Sequence, residues 1–131
     1  MQTKECLAEK MFKKDCVEVL NFLNEVAPEK GTFRTEKSFL NFVARHLKPM
    51  LRKKGRQWEK KSLELEKQFW EMDEKDDEAR FELLDIATRY VQNEKFWYAR
   101  AMSIDCDVNK KHNILWCIRL LKGGYGAPEE L

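Results

Sequence analysis

Four cysteines, two histidines and several acidic clusters are the side chains of this chain best suited to act on a substrate or hold a metal. Asp105, Asp107 and Asn109 read D-x-D-x-N, like the opening of a calcium loop. Such a loop needs glycine at its sixth position and a bidentate glutamate at its twelfth. Here those positions are Lys110 and Trp116, so the motif predicts only a polar turn that caps the next helix. Cys106, His112 and Cys117 are close in sequence, and a nucleophilic thiol needs a base beside it. The five-residue step from His112 to Cys117 does not align on a helix, and Cys117 lies inside an apolar run. The pattern predicts a buried thiol near a surface imidazole.

Cys6, Cys16, Cys106 and Cys117 contain no C-x-x-C unit, and with only His46 and His112 to add, a four-ligand zinc set is not spelled out. In a reducing compartment they read as free thiols acting as small hydrophobes. Carboxylates crowd residues 71–78, with Asp73 and Asp77 four apart. A di-metal bundle site also needs Glu-x-x-His motifs, and the sequence has none. Gly123, Gly124 and Gly126 follow a helical segment, whereas a phosphate loop precedes one. No catalytic residue, metal or cofactor is expected from these patterns.

Charge is segregated along the chain. Residues 45–61 hold eight cations, Arg45, Lys48, Arg52, Lys53, Lys54, Arg56, Lys60 and Lys61, and only one acid, Glu59. Residues 64–78 then hold eight acids against Lys67 and Lys75. Consecutive blocks cannot neutralise each other in place, so they pair across helices or face different partners. Eight cations on one edge would bind a nucleic-acid backbone without sequence preference and with a steep salt dependence. Trp58, among them, either stacks on a base or opens the core seam of its helix, the second being the preferred reading.

Aromatics give a second deviation. Phe96, Trp97 and Tyr98 are adjacent, so on a helix they point about 100° apart. They are all buried only if that helix is central. On a peripheral helix at least one ring is exposed, and exposed aromatics with Met and Arg are typical of interface hot spots. Trp70, off the seam of its own helix, poses the same question. Trp70, Phe96, Trp97 and Arg100 are the expected protein-binding residues.

The elements that must position these side chains are helical. Phe12, Cys16, Val19 and Leu23 stack on one face of a first helix, residues 3–26. Pro28 and Gly31 stop it. Thr35 caps a second helix, with Phe39, Phe42, Val43 and Leu47 on its apolar side, expected to end or kink at Lys48 before Pro49. A third helix, residues 56–75, repeats Trp58, Ser62, Leu65, Phe69 and Met72 at steps of four and three. Asp76 or Asp77 starts the next, which runs to about residue 103 or splits near Asn93. Ile114, Leu115, Ile118 and Leu121 line the last, which Gly123 ends.

The chain has 131 residues, 43% hydrophobic and 37% charged, with a net charge of +2. That length suits one domain and the apolar content suffices for a core. The expected fold is all-α: a compact single-domain bundle of five or six helices over residues 1–122, with a flexible C-terminal tail over 123–131. No apolar run approaches a membrane span and the N-terminus lacks a signal-peptide core, so an intracellular setting, cytoplasmic or nuclear and not secreted, is expected. The function expected is non-catalytic binding of a protein partner, as an adaptor, inhibitor or small subunit. The alternative is a small helical subunit resting its basic edge on RNA or DNA.

Overall fold

Pro49 lies inside a helix. In the computed structural model, which describes residues 2–26, 35–105 and 109–123, with first-helix side chains from residue 7 onward, α2 runs unbroken over Glu36–Glu71. A proline mid-helix removes one hydrogen bond and costs about 3 kcal/mol. The carbonyl it leaves unpaired belongs to Arg45, and both residues are exposed, so water can satisfy it. Val43, Leu47 and Leu51 are buried on either side of Pro49, each contributing about 1.5–3 kcal/mol. Burial therefore outweighs the proline, and the two helices expected here are one. At 1.5 Å per residue it is about 54 Å long.

The neighbouring elements are α1 (Gln2–Val26), α3 (Asp77–Asp105) and α4 (Lys110–Gly123). Four helices among the described residues correct the expected five or six. The second half of the discrepancy is α3, which does not split at Asn93: that residue is fully buried on the core face of a continuous helix. The expected tail lies outside the described residues except for Gly123, which α4 includes.

The ends are set locally. Thr35 caps α2, its side chain accepting from the Ser38 amide at 3.1 Å. The Met72 amide returns to the Phe69 carbonyl. Asp76 caps α3 by accepting from the Ala79 amide at 3.3 Å. Asn109 opens α4 at φ 58°, a left-handed conformation that asparagine tolerates.

The helices α2 and α3 form a long antiparallel hairpin, and α1 and α4 pack against its open end. There α1 runs opposite to α2, so that Asp15 meets Trp58 and Phe22 meets His46. The first turns of α4 fasten to α3 through the Asn113 side chain, which donates to the Ser103 carbonyl at 2.9 Å, and to α2 through Lys111 and Glu36 at 3.0 Å. The core gathers Phe12, Cys16 and Val19 of α1, Leu47, Leu51 and Trp58 of α2, Phe96, Trp97 and Ile104 of α3, and Ile114, Cys117 and Leu121 of α4. Two parts result: a four-helix base and a two-helix arm that carries the connecting turn.

Candidate functional site

In the base, the side chains expected to meet a partner are core. Phe96 and Trp97 are buried, and Phe12 of α1 lies 4.9 Å from one ring and 5.4 Å from the other, centroid to centroid. Tyr98 turns to α2 instead, donating to Glu59 Oε1 at 2.9 Å. The helix is central, and all three rings are consumed. Arg100 is only 9% exposed and its Nε is buried without a hydrogen-bond partner among the described residues; burial lowers its pKa, and its guanidinium lies 5.9 Å from the Phe96 ring. Of the four expected contact residues, only Trp70 is on the surface, 71% exposed.

The basic block is also partly absorbed. Lys54 is buried, bonded to Asp15 Oδ1 at 3.1 Å and Glu18 Oε2 at 2.6 Å, and Asp15 accepts from Trp58 Nε1 at 2.8 Å. Lys48 and Arg52 both pair with Asp105, the residue that headed the calcium-like motif. Lys61 sits 4.6 Å over the Trp58 ring, and Arg45 is 5.9 Å from Phe42. Trp58 is therefore a core residue capped by a cation. Arg45, Lys53, Arg56 and Lys60 remain exposed, with Lys53 near enough to Glu18 to help lower its pKa.

The histidines and described thiols do not meet. His112 lies parallel to Trp116, His46 packs 4.4 Å from Phe42, and Cys16 and Cys117 are buried free thiols. Burial pushes both thiols up to about 12, so they stay protonated and weakly nucleophilic at neutral pH. Among the described residues no three His, Cys, Asp or Glu side chains gather as a metal set. No described helix is long and apolar enough to cross a membrane.

What the geometry does assemble lies in the arm. The α2 seam is fully buried at Trp58, nearly so at Ser62, and only partly covered at Leu65, Phe69 and Met72. Burial fades because the seam has α1 and α4 beside it in the base and only α3 in the arm. The result is a groove of about 370 Å³. Its α2 wall is Ser62, Leu65, Glu66, Phe69 and Trp70, and its α3 wall is Leu83, Leu84, Ala87, Thr88 and Val91. Both walls repeat at helical spacing, so each presents one continuous face. Phe69 and Trp70 meet edge to face at 5.1 Å, and Arg80 lies 4.4 Å over the Phe69 ring, which steadies the tip end. At the base end, Ser62 donates to the Glu59 carbonyl at 2.9 Å, with Glu94 3.2 Å away.

The chain matches no family model, and no curated protein or solved structure shows significant similarity to it.

Exposed apolar side chains extend beyond the groove: Leu63 and Phe81 are 56% and 70% exposed. Around them the arm is acidic. Residues 64–85 carry ten carboxylates and three cations. The charge segregation read along the sequence is thus a spatial one, with a basic outer face on the base and an acidic arm. Sequence reasoning singled out Trp70 but missed the groove. Leu84, Ala87 and Val91 look like any core stripe until the base is known to end before them.

Proposed function

We propose that the protein is a non-catalytic docking module whose α2–α3 arm takes the apolar face of a helix from a protein partner. The observation that carries this reading is the half-buried seam, with Trp70 71% exposed at its edge. In the base, α1 lays Phe12, Cys16 and Val19, at steps of four and three, onto the same two helices. A partner helix in the groove continues that packing for about three more turns. Helix-in-groove recognition uses this arrangement: apolar anchors at i, i+3, i+4 and i+7 against two helical walls. A large exposed apolar surface edged by charge is a recognised mark of a binding site. Buried thiols and histidines packed on rings support a non-catalytic role.

The test is site-specific photo-crosslinking in the source cells. A photoreactive residue at Trp70 or Phe81 is expected to capture one protein, and the same residue at Lys122 is not. Capture of the same protein with equal yield from all three positions rejects the groove.

The row Arg45, Lys53, Arg56 and Lys60 on the outward face of α2 favours a second reading, contact with the backbone of a nucleic acid. Four phosphate contacts give a log–log salt slope of about 4 on a duplex, against about 7 for the full block of eight. Gel-shift titrations over a salt series measure it. No shift with RNA or DNA at about 50 mM salt, where screening is weak, removes this reading.

A further inference from the structure

We infer that the helix docking in the arm is cationic and belongs to a different protein, not to a second copy of this chain. The inference rests on the docking reading above and adds the chemistry of the occupant.

Two hairpin arms laid groove to groove would make a four-helix bundle, the ordinary way for such a surface to bury itself. Charge opposes it here. Each arm carries ten carboxylates against four cations over residues 64–91. One of those acids, Glu66, lines the groove itself. Of the four cations, Arg80 already covers Phe69 and Arg89 pairs with Asp85 at 3.8 Å. Pairing two such arms brings like charge together across a closing apolar seam, where the dielectric falls and repulsion grows. The basic row Arg45, Lys53, Arg56 and Lys60 lies on the outward face of the base half of α2, away from a groove between two arms. An apolar helix flanked by lysine or arginine meets the opposite situation. Its apolar face covers Leu65, Phe69 and Leu84 while its cations reach the acidic rim. The long alkyl stems of such cations also cover part of the exposed rings.

The experiment uses the full chain and three synthetic peptides of equal length. One is a Leu/Lys helix with apolar residues at i, i+3, i+4 and i+7. The second is the same pattern with Glu for Lys, and the third is the Leu/Lys composition scrambled. Binding is read by calorimetry and by tryptophan emission, compared with a Trp70→Phe variant. The Leu/Lys helix is expected to bind at least about tenfold more tightly than the Leu/Glu helix. Its binding should blue-shift the emission of Trp70 and weaken with salt, and Glu66→Lys should narrow the preference. Equal or tighter binding of the Leu/Glu helix overturns the cationic assignment and leaves the groove standing. Scrambled peptide binding as well as the helix, without an emission change, also overturns it, because charge alone would then suffice. If neither helix binds, the docking reading itself fails. Sedimentation at low and high salt should give a monomer; a dimer that shields Trp70 overturns the assignment in favour of a second copy.

Discussion

Gly55 and Tyr98 touch across the α2–α3 seam so closely that a Cβ on Gly55 would fall 2.7 Å from Cε1 of the tyrosine ring. The ring has little room to yield, because its hydroxyl is tied to Glu59. A glycine in mid-helix costs about 1 kcal/mol relative to alanine, and here close approach is its reason. Gly55→Ala is therefore expected to lower stability by about 1–2 kcal/mol, overpacking outweighing the propensity gained. In a Tyr98→Ala background the same substitution should instead stabilise by about 1 kcal/mol. Urea unfolding of the four proteins checks the reversal of sign; the same loss in both backgrounds would clear the ring of responsibility.

Lys54 and Asp15 form a largely buried ion pair, and removing Asp15 leaves Lys54 with only Glu18, and the Trp58 indole N–H with no acceptor, among the described residues. Asp15→Ala is expected to cost about 1–3 kcal/mol, and Lys53→Ala, one residue along on the exposed face, less than about 0.5 kcal/mol. The pair also shapes the response to pH. The hydrogen bond from Lys54 holds Glu18 below the usual carboxylate range. A carboxyl lowered on folding stabilises above its unfolded pKa, and that contribution disappears as pH falls through the folded one. Burial lowers the pKa of Lys54, but its bonds to Glu18 and Asp15 outweigh this and raise it. Its contribution is complete below the unfolded value and fades as pH rises through the raised one. Stability should be flat near neutrality and fall below about pH 4 and above about pH 10.5. Glu18→Gln should make the acid limb shallower. An unchanged acid limb would show that the pair does not set it.

Cys16 and Cys117 give a chemical prediction. With Cys6 and Cys106 replaced by serine, the native protein at neutral pH should resist alkylation over hours, since both remaining thiols are buried and held at about 12. Both should react within minutes in guanidinium. Rapid labelling of either in the folded protein would place that sulfur at the surface.

Trp97 and Trp70 separate core from surface. Trp97→Ala or Phe96→Ala should destabilise by about 3–5 kcal/mol. Trp70→Ala should change stability by less than about 0.5 kcal/mol while removing partner capture. Thermal unfolding, with crosslinking of the same proteins, compares the two. A large loss of stability from Trp70→Ala would make that ring structural.

Much of this fold could be read from spacing alone. Phe12, Cys16 and Val19 fall where their intervals place them, Thr35 and Asp76 cap the helices they precede, and Trp58 opens a core seam. What spacing misread was context. Pro49 resembles a stop and Gly55 falls between the two helices expected there, yet one loses a hydrogen bond only at the solvent face and the other admits Tyr98. Phe96 and Trp97 resemble an interface until α1 is laid across them. The groove was hidden for the opposite reason. Leu65 and Phe69 continue the same repeat as Trp58, and a repeat does not say where the covering helices end.

The central claim, that this protein acts through the arm's groove, is tested most directly by comparing two folded variants in the photo-crosslinking assay, with the photoreactive residue at Phe81 in each. Leu84→Asp with Ala87→Asp places charge inside the groove; Arg56→Glu with Lys60→Glu reverses charge on the outward face of α2. Both should unfold like the parent in circular dichroism. The groove variant is expected to lose the captured partner and the α2 variant to keep it; retention by the groove variant with loss in the other would contradict the account.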